Sequence, residues 1–440
     1  MGASRDTGAA AVTVPRGRGA RIGAFPRTVY AKAVINNETS AHALAYSMKR
    51  SCPAPDFFPL LLFSFSVMIS KNLLLLHDDP FLTCYYSERF EDAGFQVWAA
   101  PNLETALERM EAEPNIVLLD PLIRGEDGRT AVEIIRAHLA GGQIPILVLP
   151  TPHHSLTEPL QTMSGVTLLT ALTNPLGAAL KTALDLVNPG QHDAGRMMLL
   201  TAPDEQWKAR AMHAAQTSLV QMRQAHHELM RAGADHVHLQ PFLLATHHFA
   251  GHTMLLNSAA LLHFANAVES LAFSLNRFPE RTDPAAIRTL GQANDFLAIL
   301  LKDNAYARMP DFESAGVMVI EDEPPARDLI IAAMDLVGLH ATGAGNPDDG
   351  LALLAAQACD LIFLDINLPE MNGFEVCNRI RTLPLHERTP VVFLTGMSSF
   401  NNRVQSSLSG GNDFIGKPFN VAELGVKALI WVMKSRLGEN

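Results

Sequence analysis

Five residues in the last third of the chain have the types and spacing to handle a phosphoryl group. Glu321 and Asp322 follow the apolar run 317–320, Asp365 ends the run 361–364, Thr395 ends 391–394, and Lys417 comes just after 413–415. Short apolar runs bounded by turn residues read as buried strands. In open α/β folds the carboxyl ends of such strands are where ligands bind. Three carboxylates brought together repel one another and raise some of their pKa values unless a cation neutralises them. A hard divalent ion such as Mg²⁺, held by one or two carboxylates and water, fits that need. A carboxylate nucleophile with a hydroxyl donor and an ammonium group is what attack on a phosphoryl group requires. Any one acid could be a solvated surface group, but that reading does not account for the whole set.

Alternating apolar strands and amphipathic helices must position these residues, which implies a parallel sheet with helices on both faces. The same grammar appears earlier in the chain. The run 73–76 leads to His77-Asp78, then come 95–98, a helical stretch through Leu103, Ala106, Leu107 and Met110, the run 115–119 ending in Asp120, a loop with Asp127-Gly128, and 144–149. Asp120 falls on Asp365 and Gly128 on Gly373, so the domain is duplicated. The first copy has a poorer set of groups. His77-Asp78 stands where Glu321-Asp322 does, Pro150 where Thr395 does (with Thr151 one residue on), and Asn174-Pro175 where Lys417-Pro418 does. Losing one charge-stabilising donor costs roughly 10²–10³ in rate. We therefore expect the first copy to serve in docking or dimerisation, with a slow active site as the alternative.

Between the copies, at 190–312, the periodicity turns helical. Four helices are expected, at about 202–231, 239–256, 258–277 and 283–302, with short connections that make a four-helix bundle. Ser258 and Asp283 are cap candidates. In the second helix Phe242, Phe249 and Leu256 fall on a core face. His247 falls off it, and Ala250 and Gly251 share its side of the helix. Small neighbours would leave the imidazole open to an approaching protein surface. His248 and His252 have the spacing of a metal pair, but no Asp, Glu or Cys stands at matching spacing, and surface histidines are the plainer reading.

The expected organisation is multi-domain. It runs 1–67 as a leader, 68–189 and 313–440 as doubly wound (βα)5 α/β domains, and 190–312 as the helical bundle between them. The leader is basic and aperiodic. A dispensable or spurious leader with the natural start at Met68, a disordered basic tail and a targeting segment are the readings it permits. The net charge of −11 argues against a duplex nucleic-acid binder. Four scattered cysteines suit a reduced, cytoplasmic protein. No apolar run reaches the roughly 20 residues of a membrane span.

Residues of about 315–437 resemble the receiver domain of two-component response regulators, which has a flavodoxin-like fold. The resemblance implies that Asp365 is the phospho-acceptor and that Glu321 and Asp322, with Asp365 and the Asn367 backbone carbonyl, hold Mg²⁺. It implies further that Thr395 and Lys417 contact the phosphoryl group, that Phe414 is the aromatic switch, and that Pro418 follows a cis peptide. Glu-Asp replaces the commoner Asp-Asp, and Gly396 follows the threonine where alanine is usual. Residues of about 71–188 resemble the same family with an eroded site at His77, Asp78 and Asp120. The stretch Thr246 to Gly251 resembles the His-x-Leu-Lys-Gly motif of histidine-phosphotransfer (HPt) domains, with Ala250 in place of the lysine. Leu261, Val268 and Glu269 match that family's next helix, which makes His247 the phospho-histidine.

The resemblance implies a bacterial phosphorelay protein that carries phosphoryl groups and is not itself an enzyme, since no Gly-rich nucleotide loop is visible. Its expected partners are a sensor histidine kinase or other phosphorelay proteins and a second copy as a homodimer, with no nucleic acid and no membrane. The phosphoryl group of Asp365 is expected to exchange with His247. The alternative is an adaptor whose Asp365 gates binding while the rest only docks partners.

Overall fold

In the computed structural model, the residues described are 71–125, 129–138, 144–153, 158–172, 174–187, 203–233, 235–279, 282–309, 314–396 and 410–438. The expected leader 1–67 with its alternative start at Met68, and the loop pair Asp127-Gly128, lie outside them. The first α/β domain comprises β1 (Lys71–Leu76), α1 (Pro80–Asp92), β2 (Phe95–Ala100), α2 (Leu103–Met110), β3 (Ile116–Leu119), α3 (Ala131–His138), β4 (Ile146–Val148), β5 (Val166–Leu168) and α4 (Pro175–Val187). Its five strands are parallel in the order β2-β1-β3-β4-β5.

Among the described residues four α-helices follow: α5 (Glu205–Ala232), α6 (His236–Thr253), α7 (Ala259–Arg277) and α8 (Pro284–Leu301). Their starts are set by side-chain caps. Asp204, Asp235, Ser258 and Asp283 each accept a backbone N–H of the first turn. Gly233, at φ 100°, stops α5 in a conformation that L side chains rarely adopt.

The second α/β domain comprises β6 (Gly316–Ile320), α9 (Pro324–Leu336), β7 (His340–Ala344), α10 (Pro347–Ala356), β8 (Leu361–Asp365), α11 (Gly373–Thr382), β9 (Val391–Thr395), β10 (Asp413–Gly416) and α12 (Val421–Leu437). Its sheet order, β10-β9-β8-β6-β7, is the first domain's order read in the other direction. Both are the flavodoxin-like order, in which the chain switches direction beside the first strand and opens a crevice at the carboxyl edge.

Alternation along each strand divides the core. Leu73 and Leu75 belong to an apolar cluster that continues through Phe242, Phe249, Phe264 and Phe296 to Val319 and Leu429. Leu74 and Leu76 face a separate cluster under α2 and α3, and Ile362 and Leu364 one under α10 and α11. One sheet face of each α/β domain is thus covered by its own first and last helices, α1 and α4 or α9 and α12, and through them the core runs on into the helical middle, so that the described residues belong to one compact unit. Polar ties cross the second boundary: Thr289 Oγ1 donates to Glu423 Oε1 at 2.8 Å, and Lys427 Nζ, paired with Asp413 of its own domain at 2.6 Å, reaches Gln292 at 3.0 Å.

Candidate functional site

The phosphoryl-handling residues of the second α/β domain do converge. β6 and β8 are neighbours, so Glu321 and Asp365 end side by side. Glu321, Asp322 and Asp365 offer oxygens that all lie within 4.8 Å of one another. Thr395 ends β9 next to β8, and its carbonyl accepts the Lys417 N–H at 2.7 Å, which brings Lys417 over the same edge. Lys417 Nζ donates to Asp365 Oδ2 at 2.8 Å and to Glu321 Oε1 at 2.9 Å. The Lys417-Pro418 peptide is cis, as the resemblance implied. Phe414 is half-buried against the outer core, two strands from Asp365 with β9 between them.

The electrostatics follow from burial. Glu321 is fully buried. Burial raises its pKa and the charge of Asp365 adds to that, against the Lys417 hydrogen bond. Lys417 loses solvation, but its hydrogen bonds to Asp365 and Glu321 outweigh that loss and raise its pKa. Glu321 Oε2 also lies 2.8 Å from Lys417 Nζ, so both oxygens of this buried carboxylate face the ammonium group. Three carboxylates whose oxygens converge, with one ammonium group between two of them, are the donor set a hard divalent cation takes. The residues present therefore fit Mg²⁺.

The loop after β8 is shaped by one glycine. The Asn367 N–H donates to Asp365 Oδ1 at 3.2 Å, and the Gly373 N–H donates to the Ile366 carbonyl at 3.0 Å. A Cβ on Gly373 would stand 2.2 Å from the Asp365 carbonyl oxygen, so only glycine allows the loop to close under the acceptor.

Residues 317–428 match the family model of the response regulator receiver domain. The chain belongs to the response regulator receiver family. It is 35% identical over 116 residues to an uncharacterized 14.6 kDa protein of Leptolyngbya boryana, covering 26% of this chain and 88% of that one. It is 34% identical, again over 116 residues, to the DNA-binding dual master transcriptional regulator RpaA of Synechocystis, covering 26% of this chain and 48% of that one. The chain spans about half the length of that regulator. Among solved structures it is similar to the chemotaxis response regulator CheY4 of Vibrio cholerae, at 27% identity and TM-score 0.26, covering 27% of this chain and 98% of that chain.

Away from this receiver domain, the residues of the first α/β domain are engaged differently. Asn174, at the position of Lys417, accepts the Gly177 N–H and caps α4. The Thr151 hydroxyl accepts the His153 N–H at 3.3 Å. Asp120 is buried, and its Oδ2 receives His247 Nε2 from α6 at 2.8 Å. His247 Nδ1 meets Glu269 Oε1 of α7 at 2.9 Å, and Glu269 also takes His153 Nε2 at 3.0 Å. On the other side His248 Nε2 meets Asp78 Oδ1 at 3.0 Å, and His252 Nε2 meets Asp79 Oδ2 at 3.0 Å. His77 lies 3.7 Å from Asp120 and 3.6 Å from Asp78. The result is a seam of alternating imidazoles and carboxylates. His77, Asp78 and Asp120 also lie within reach of one cation, but both carboxylates already have an imidazole partner.

Two expectations are corrected here. His247 is not open to an approaching surface: its side chain is 13% exposed because the first α/β domain already covers it. Its small neighbours admit that domain, since a Cβ on Gly251 would come 2.5 Å from Leu82 Cδ1 of α1. Nor do His248 and His252 lack acids, because Asp78 and Asp79 supply them from more than 150 residues upstream. Sequence reasoning missed Asp79 and His153 altogether. No local spacing joins them to α6 or α7, and only the docking of the two parts does.

The seam shifts its own groups. Burial alone would lower the His247 pKa, but the charges of Asp120 and Glu269 and their hydrogen bonds raise it well above its ordinary value. Burial would raise Asp79, but the hydrogen bond and charge of His252 bring it down to about 2. Asp78, Asp120 and Glu269 are likewise pushed up by burial and pulled down further by His248, His247 and His247 respectively. His247 thus has a carboxylate against each ring nitrogen, an arrangement that favours its charged form.

Proposed function

We propose that the chain is a two-component signalling protein that accepts a phosphoryl group on Asp365. The observation that carries this reading is Lys417 Nζ bridging Asp365 and Glu321 at 2.8–2.9 Å over a converging set of acids. One Asp365 oxygen attacks phosphorus, the new O–P bond forms as the bond to the donor breaks, and the donor atom leaves with the electron pair. Lys417 moves its hydrogen bond to a phosphoryl oxygen, and the Thr395 hydroxyl stabilises another. Mg²⁺, held by Glu321, Asp322, Asp365 and the Asn367 carbonyl, would offset charge on the phosphoryl oxygens. Phe414 reports the change to partners. The donor is a sensor histidine kinase or another phosphorelay protein, in the cytoplasm, and the chain acts as a carrier, not a kinase. Among the described residues no helix is long and apolar enough to cross a membrane. With a net charge of −11, we take its partners to be proteins rather than nucleic acid.

The four helices, read as an HPt-like bundle flanked by an eroded and a complete receiver, add a second site at His247. Exchange between Asp365 and His247 is the relay form of this reading. The adaptor form, in which the eroded receiver and the bundle dock partners or a second copy, is favoured by one observation: His247 is engaged by Asp120, not by Asp365. Acetyl phosphate with Mg²⁺ tests the core of the proposal. We expect one acid-stable, base-labile phosphoryl group that maps to Asp365 and is absent in Asp365→Asn. Label persisting in that variant would sink it.

A further inference from the structure

We infer that the first α/β domain is a resident plug on the His247 face, so that the docked seam and a phosphoryl group on His247 exclude one another. Three observations carry this inference.

The atoms come first. His247 Nε2 lies 2.8 Å from Asp120 Oδ2, and Nδ1 lies 2.9 Å from Glu269 Oε1. Both ring nitrogens therefore spend their hydrogens on carboxylates. A nitrogen that attacks phosphorus must offer a lone pair: its proton must leave, the N–P bond must form, and the donor must depart with the bonding pair. No atom can enter between a nitrogen and an oxygen already in hydrogen-bond contact. The cleft beside the pair, lined in part by His77, Pro150 and Ala250, is narrow, with a volume of about 60 Å³.

The second observation is that the contact is built over a wide area. Leu82 fills the space that Gly251 leaves open. Phe81 packs edge-on against His252 and Trp207, at 5.1 and 5.7 Å between ring centres, and Trp207 Nε1 donates to Glu88 at 3.3 Å. His248 and His252 bind Asp78 and Asp79 beside the central pair.

The third is what the plug lacks. Its Asn174 is spent as a helix cap and its Thr151 hydroxyl as a turn acceptor. A domain with Asp120 but without the ammonium group can hold an imidazolium, yet it is poorly equipped to take a phosphoryl group from it. Because binding free energies are reciprocal, whatever modifies His247 must weaken the docking, and whatever strengthens the docking must protect His247.

The test uses diethyl pyrocarbonate on the full chain, with peptide mapping, because this reagent needs a neutral, reachable imidazole. It reads access to His247 whether or not His247 ever carries phosphate, and it leaves the Asp365 proposal untouched. His227, 78% exposed on α5, is the internal standard. We expect His247 to react at least about tenfold more slowly than His227, since local opening must precede reaction. In Asp120→Ala, and separately in Gly251→Leu, which wedges the seam from the other side, it should approach the His227 rate. Hydrogen exchange over Pro80–Asp92 should rise once His247 is modified. His247 reacting as fast as His227 in the wild type, or staying slow in both folded variants, would overturn the inference. So would modification of His247 that leaves Pro80–Asp92 protected.

Discussion

His247 Nε2 and Asp120 Oδ2 stand 2.8 Å apart across a boundary that separates them by 127 residues of sequence. Asp365, the acceptor we propose, has a lysine as its partner instead. Two aspartates at equivalent strand ends thus meet different partners, an ammonium group at Asp365 and an imidazole at Asp120.

Lys417→Ala should slow modification of Asp365 by acetyl phosphate by roughly 10²–10³, the usual cost of losing one charge-stabilising donor. It also leaves Glu321 and Asp365 facing each other without their shared ammonium group. The rate can be followed by separating phosphorylated from unmodified chain at fixed Mg²⁺. A rate within a factor of two of wild type would remove Lys417 from the mechanism.

Asp120 should stay unmodified under conditions that saturate Asp365. It is buried beneath His247 and has no lysine at the Asn174 position. Stoichiometric phosphate at Asp120 by mass spectrometry contradicts this assignment.

The seam should be tightest at mildly acidic pH. The folded pKa of His247 is raised, so its contribution is complete below about 6.5, the ordinary value, and is lost as pH rises through the folded value. Asp78, Asp79, Asp120 and Glu269 are depressed, so their contribution is complete above about 4–5 and is lost as pH falls through their folded values. Hydrogen exchange over Pro80–Asp92, corrected for its intrinsic pH dependence, should show maximal protection between about pH 5 and 6.5. Flat protection from pH 6 to pH 9 would contradict the sign.

Gly373→Ala should destabilise the receiver domain by on the order of 1–3 kcal/mol, because the added carbon meets backbone that cannot swing aside. Phosphorylation should fall with it, since the same shift displaces Asp365. Thermal unfolding and labelling on one preparation check both. Unchanged values would show that the loop after β8 relaxes freely.

Lys427→Met should cost on the order of 3 kcal/mol by leaving the Asp413 carboxylate, only 8% exposed, without its ammonium partner and with the Trp431 N–H alone on the same oxygen. The double variant with Asp413→Leu should recover most of that loss in denaturant titrations. A double variant no more stable than the single one would argue that the Gln292 contact and the apolar packing of α12, not the ion pair, account for the loss.

The receiver site was legible in the sequence because each part is local: an apolar run fixes a strand, the residue after it falls at the carboxyl edge, and parallel order brings the edges together. Glu321, Asp365, Thr395 and Lys417 all stand where that logic put them. The four helices were equally readable, because stripe and cap lie within single segments. What the residues around His247 do was not readable. Periodicity places His247 off the core face of α6, but it says nothing about which surface lies opposite. Asp78, Asp79 and Asp120 come from one domain and Glu269 from another helix, so the charge state and access of His247 are decided by how folded parts pack together. Strand-end chemistry is written into neighbouring residues. The imidazole–carboxylate seam exists only in the tertiary structure, because burial and long-range contact, not sequence spacing, create it.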